Sequence, residues 1–184
     1  VHGDYDADGV SASTILKTVL TSLGAEVDVF LPHREKDGYG LNSRTIEEFG
    51  KQGQKLIITC DCGISNKVEI MQANALGMDV IVTDHHQIPE FLPPAFAIIH
   101  PRVEGETYPF KELAGGGVAF KLAQGLLRHA GNNLSEAQRE AKEKWLLDLV
   151  ALSSVADMVS MTGETRTLTK YGLIIMQKNT RLGL

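Results

Sequence analysis

Five short apolar runs, Val1–Gly3, Glu26–Leu31, Lys55–Thr59, Asp79–Val82 and Ala97–His100, constrain this chain more than anything else in it. Between several of them, apolar residues recur every three or four positions, as at Ile15, Val19, Leu20 and Leu23. That period predicts helices over Val10–Leu23, Ser43–Gln52 and Ser65–Leu76, with Gly24 and Gly77 where helix C-terminal glycines belong. Strands that alternate with helices specify a parallel sheet with crossover connections. The expected fold is therefore α/β: an open, mostly parallel five-stranded sheet with helices on both faces.

After Pro101 the pattern changes to a helical C-terminal part. Gly115-Gly116-Gly117 opens a helix that runs to about His129. A polar segment, Gly131 to Ser135, leads into a long helix from Glu136 to about Val155, with Ser135 and Gln138 spaced as a capping box. A last helix begins near Glu164. No repeat, low-complexity tract or linker interrupts the chain, so residues 1–184 read as one domain. Val1 already reads as part of a strand, so the expectation is a longer natural chain.

Composition matters mainly for what it excludes. Hydrophobic residues make up 43% and charged residues 22%, ordinary for a soluble globular domain. No apolar run approaches the roughly 20 residues that a membrane span needs. Cys60 and Cys62 are too few and too close for a disulfide framework, and they read as buried thiols of a cytoplasmic protein. The formal charge of -5 counts against non-specific nucleic-acid binding, which needs Lys and Arg to neutralise phosphates.

Three of the runs end in acidic or histidine clusters, where an open α/β sheet collects its ligands. The first is His2-Gly3-Asp4-Tyr5-Asp6-Ala7-Asp8-Gly9. Asp6 and Asp8 flank Ala7, so in extended backbone they project to the same side. Asp8 alone also suits a cap for the helix at Val10, but capping does not account for three Asp and a His within eight residues. The second is Thr59-Cys60-Asp61-Cys62-Gly63, in which Asp61 reads either as a buried carboxylate needing a partner or as a cap for the helix from Ser65. The third is Thr83-Asp84-His85-His86, where adjacent imidazoles suit a transition metal and Asp84 can orient them. Asp157, in Val155-Ala156-Asp157-Met158, gains weight only from the company it would keep. A mixed Asp/His set suits Mn²⁺, or Mg²⁺ where carboxylates dominate, and pairs of such cations serve phosphoryl displacement. Two divalent cations on Asp6, Asp8, Asp61 and Asp157 would bring the formal charge of -5 to about -1 and remove most of the objection to a polyanionic substrate.

With these motifs the chain resembles the DHH phosphoesterase superfamily, through Asp84-His85-His86, the Asp6/Asp8 segment, Asp61-Cys62-Gly63 and Val155-Ala156-Asp157. It most resembles the branch of bacterial single-strand-specific 5′-to-3′ DNA exonucleases. That likeness rests on Pro32-His33-Arg34, Gly38-Tyr39-Gly40-Leu41, Tyr108 through Leu122, and Leu149 to Gly172. The resemblance implies hydrolysis of single-stranded DNA in repair and recombination, with two cations, Mn²⁺ or Mg²⁺. It implies Asp6, Asp8, Asp61, His85 and Asp157 as metal ligands, with Asp61 bridging. It makes His86 a ligand or a contact to the scissile phosphate, and Arg34 a phosphate contact; Arg34 also reads simply as a solvated surface residue. His2 matches a ligand position in the related inorganic pyrophosphatases. His100-Pro101 stands where the branch usually carries Asn-Pro. The resemblance further implies that residues 1–184 are the catalytic domain without the family's DHHA1 and OB-fold domains, and so cleave poorly alone. Two other readings are a DHH-type phosphodiesterase for oligoribonucleotides or cyclic dinucleotides, and a non-catalytic replication scaffold. The Tyr108-to-Leu122 segment counts against the first, and the full set of Asp and His positions against the second.

Overall fold

The computed structural model describes residues 1–129, 133–178, 181 and 183. Four parallel strands, β1 (His2–Gly3), β2 (Leu56–Cys60), β3 (Asp79–Thr83) and β4 (Ala97–Ile99), lie side by side in chain order. Their register is in phase at one end: Gly3 pairs with Cys60, Cys60 with Thr83, and Thr83 with Ile99. All four strands therefore stop in the same row, and the chain leaves the sheet along one straight rim.

The expected fifth strand, Glu26–Leu31, is not formed. Phe30 alone bridges to His2, through Gly3 N–H to Phe30 O (3.0 Å) and Phe30 N–H to Val1 O (2.9 Å). Its neighbour β1 is two residues long and offers pairing for no more than that. The bridge still decides the topology. From β1 the chain crosses through α1 (Ala7–Ser22) to Phe30 on one side, and then through α2 (Ser43–Lys51) to β2 on the other. The direction of winding reverses at β1, which opens a crevice beyond the carboxyl ends of β1 and β2.

The reversal puts helices on both faces, as expected. One core joins α1 to α4 (Gly115–His129) and α6 (Leu147–Ala156), over Ile58 and Cys60 of β2. The other packs α2 and α3 (Lys67–Ala75) over Ile57 of β2 and over Val80 and Val82 of β3. Alternate residues of one strand thus enter opposite cores, as the pleat requires. Helix α3 starts two residues later than expected, because Asn66 N–H closes a turn on Gly63 O at 3.0 Å.

The long helix expected from Glu136 is two helices, α5 (Glu136–Trp145) and α6, which meet at the buried Leu146. Helix α5 buries no residue, whereas α6 is enclosed by α1, α4 and α7 (Gly163–Met176). A straight rod cannot be solvent-exposed along one half and core along the other. The capping box is present, with Gln138 N–H to Ser135 Oγ at 3.3 Å and Ser135 N–H to Gln138 Oε1 at 2.8 Å. The polar segment before it lies in part, at residues 130–132, outside the described residues. Among the described residues, no helix is long and apolar enough to cross a membrane.

Candidate metal centre

The residues just past the rim form the site. Asp84 leaves β3 fully buried, and its carboxylate gathers four hydrogens. Oδ2 accepts from Ile64 N–H (3.0 Å), and Oδ1 from His85 N–H (2.7 Å), His86 N–H (3.1 Å) and His86 Nδ1 (2.8 Å). Burial pushes the Asp84 pKa up, but these bonds, that of His86 foremost, outweigh it and hold the group below the ordinary range. Asp84 thus orients the two histidines.

His85 is buried, and its Nε2 lies 3.0 Å from Asp61 Oδ1, 3.6 Å from Asp8 Oδ2 and 3.7 Å from Asp157 Oδ2. Those carboxylates arrive from separate elements: the end of β2, the first turn of α1, and the C-terminal end of α6. Asp61 holds a left-handed backbone at φ 62°, so the chain turns sharply as it leaves β2. Burial, and then the neighbouring Asp8, push its carboxyl up to about 10. Burial likewise raises Asp4 and Asp157. Asp61 Oδ1, His85 Nε2 and Asp4 Oδ1 are all buried without a hydrogen-bond partner among the described residues. Three buried polar atoms left bare around one crevice suit a cation, which would reverse the penalty that burial sets on each carboxylate.

The ligand atoms fall into three overlapping groups, each within 4.8 Å: Asp61, His85 and His86; Asp8, His85 and Asp157; and Asp4, Asp6 and Asp61. Asp61 belongs to two of them. Asp6, not Asp8, is the N-cap of α1, where Oδ1 accepts from Asp8 N–H (2.9 Å) and Gly9 N–H (3.0 Å). Asp8 is instead fixed by α4: its two oxygens accept from Gly115 N–H and Gly116 N–H, each at 2.7 Å, and Ser153 Oγ–H donates to Oδ1 at 2.6 Å. The glycines are needed for this approach. A Cβ on Gly115 would lie 2.6–2.7 Å from the Asp61 side chain, and one on Gly116 2.4 Å from Ser153 Oγ. Helix α4 therefore meets the carboxylates with bare backbone, its positive N-terminal end toward their charge.

His86 stands at the mouth, 43% exposed, with its ring against Tyr39. Tyr39 Oη donates to Asp61 O at 3.2 Å and lies 3.1 Å from His86 Nδ1. The hydrogen bond to Asp84 raises the His86 pKa more than burial lowers it. Arg34, exposed, stacks its guanidinium over the Tyr5 ring at 5.2 Å. His2 joins none of the three groups, although its Nε2 is likewise buried without a hydrogen-bond partner among the described residues. It is fully buried, its ring lies 5.2 Å from Phe30 and 6.3 Å from Phe49, and Nδ1 is 3.9 Å from Cys62 Sγ. Burial drives its pKa down to about 4.

Sequence reasoning therefore missed Asp4, Tyr39, Ser153 and the glycine pair. Asp4 continues the Asp6/Asp8 alternation, and a triple glycine at a helix start marks a close approach; both signals were available. Ser153 carries no local signal.

An open parallel sheet that gathers Asp and His from several strand ends into one crevice defines a class of α/β proteins built around an acidic, cation-accepting centre. The chain belongs to the DHH family: it matches the family's N-terminal domain over residues 1–153. It is 44% identical over 184 residues to the single-stranded-DNA-specific exonuclease RecJ of Bacillus subtilis (strain 168), covering 100% of this chain and 22% of that protein. The crystal structure of exonuclease RecJ bound to manganese is similar at a TM-score of 0.82 and 38% identity, over 94% of this chain and 42% of that one. RecJ of Thermus thermophilus in complex with Mn²⁺ follows at a TM-score of 0.76 and 34% identity, over 94% and 23%. The chain thus spans about a fifth of the length of the curated relative.

Proposed function

We propose that the chain is the phosphodiester-hydrolysing domain of a two-cation, 5′-to-3′ exonuclease acting on single-stranded DNA in repair and recombination. The observation that carries this is the pair Asp61 Oδ1 and His85 Nε2, 3.0 Å apart, both buried and neither hydrogen-bonded among the described residues. A cation would meet both atoms at once and offset the cost of burying the carboxylate. Asp8, Asp61, His85 and Asp157 would hold one Mn²⁺ or Mg²⁺, and Asp6, Asp61 and Asp4 would hold the second, with Asp4 in the role that the resemblance gave to His2. Cations of this kind lower the pKa of water and offset charge on phosphate oxygens. The substrate follows the named activity of the RecJ relatives.

The chain's own residues supply orientation and protons. Asp84 engages His86 Nδ1 and leaves Nε2 to meet a phosphate oxygen. Arg34, steadied on Tyr5, grips a second phosphate with its fork of donors. The buried free thiols Cys60 and Cys62 support a reducing, cytoplasmic setting.

The test offers the intact protein, with Mn²⁺, end-labelled single-stranded DNA, duplex DNA, short RNA and cyclic dinucleotides. Release of nucleotides from the 5′ end of single-stranded DNA is expected. Preference for a dinucleotide or short RNA refutes the DNA substrate, and no hydrolysis of any of them refutes the phosphoesterase.

A further inference from the structure

His100 follows β4 directly and is 2% exposed, yet both its ring nitrogens are engaged. Nδ1 receives Arg102 N–H at 3.1 Å, and Nε2 lies 2.8 Å from His86 O. A backbone N–H can only donate and a carbonyl can only accept. Nδ1 is therefore bare, and the ring's proton sits on Nε2 and points to His86 O. His100 also begins a turn, with Val103 N–H to His100 O at 3.4 Å, so its Nδ1 does what an Asn or Asp oxygen does two residues ahead of itself.

The second bond is the informative one. Asp84 N–H donates to Ile99 O at 3.2 Å, so β4 already holds the start of the Asp84–His86 segment. Asp84 Oδ1 holds His86 N–H and the His86 ring. His86 O is the remaining polar group of that residue's backbone, and His100 takes it. The peptide after His86 is thereby fixed from both sides. We infer that His100 is a positioning residue, which sets the direction of the His86 ring through a hydrogen bond to the His86 carbonyl. This rests on the proposed role of His86 toward phosphate.

The role needs one acceptor and one donor on a single side chain at the start of a turn. Asn has both: Oδ1 for Arg102 N–H and Nδ2–H for His86 O. Leu fills similar space and leaves both backbone groups buried and unpaired. In the intact protein with Mn²⁺, His100→Leu is expected to lower kcat about tenfold or more, with KM and Mn²⁺ affinity within about threefold. His100→Asn is expected to keep kcat within about threefold. A role in packing alone would weaken folding and cation binding in both variants, with no split between kcat and KM and no rescue by Asn, and that pattern overturns the inference. The tautomer is read separately, from long-range ¹H–¹⁵N spectra of histidine-labelled protein: Nε2–H is expected, and Nδ1–H overturns the inference. That spectrum needs neither turnover nor a substituted protein. If the Leu variant does not fold, the spectrum still tests the bond to His86 O and the kcat of His100→Asn tests the positioning, so failure here is separated from failure of the proposed hydrolysis.

Discussion

Asp61→Asn tests the centre at its most perturbed group. The carboxyl's pKa lies near 10 in the folded chain against an ordinary 3.8, with burial the main cause and Asp8 the next. Between those values the folded state keeps a proton that the unfolded state has released. Raising the pH across this window therefore removes stability: the contribution is complete below about 3.8 and gone above about 10. At pH 7, roughly three pH units into the window, the penalty is about 4 kcal/mol, an upper bound because water and relaxation share the burden. Asn keeps the shape without the proton, and it is among the residues that best tolerate the φ of 62° found there. In chelator at pH 7, the variant is expected to be more stable than the parent, by up to about 4 kcal/mol, with a flatter dependence on pH. Added Mn²⁺ should narrow the gap. At a hundred times its Kd the cation stabilises the parent by about 2.7 kcal/mol, and the variant by far less. Urea unfolding followed by circular dichroism at pH 5, 7 and 9, with chelator and with Mn²⁺, reads both effects. A variant less stable than the parent in chelator at pH 7, or one stabilised equally by Mn²⁺, refutes the reasoning.

Other substitutions probe the surroundings of that carboxylate. Gly115→Ala drives a Cβ to within 2.6–2.7 Å of the Asp61 side chain; a stability loss of about 1–3 kcal/mol by thermal unfolding and weaker Mn²⁺ binding are expected. Ser153→Ala removes the 2.6 Å bond to Asp8 Oδ1 and is expected to cost about tenfold in Mn²⁺ affinity by calorimetric titration, with the two glycine N–H bonds retained. Asp4→Asn is expected to abolish one of two Mn²⁺ equivalents in the same titration, whereas His2→Phe leaves both; loss of an equivalent in His2→Phe would restore His2 as a ligand.

What could be read from the sequence divides by range. Strand ends were legible because a four- or five-residue apolar run and the acid that follows it are one local event. Ile57-Ile58-Thr59-Cys60-Asp61 and Val80-Ile81-Val82-Thr83-Asp84 needed no tertiary knowledge. The surplus strand at Glu26–Leu31 shows the limit. Its composition suits a strand, but whether a strand forms depends on how much partner lies beside it, and β1 supplies two residues. The division of α5 from α6 depends likewise on which half is enclosed. Ser153 reaches Asp8 across 145 residues of sequence, a pairing that no local pattern encodes.

His2 and Asp4 differ in another way, because both lie in the same motif and the choice between them depends on register alone. His2 shares its row with Thr59, Val82 and Ile98, one step inside the sheet. Val82 belongs to the core under α2 and α3, and Ile98 and Phe49 pack against that core, as the His2 ring packs on Phe49. The His2, Thr59 and Val82 side chains of that row are fully buried. Asp4 is the first residue past the last row, and its N–H still bonds Cys60 O at 3.1 Å, as Asp61 N–H bonds Thr83 O at 3.0 Å and Asp84 N–H bonds Ile99 O at 3.2 Å. Asp4, Asp61, Asp84 and His100 are thus one line across the rim, each a single residue beyond its strand. Each is polar and buried, and each holds or orients a group of the centre. At these four positions the chemistry follows distance from the strand end, counted in single residues; the sequence motif alone carries that count only once the strands are in register.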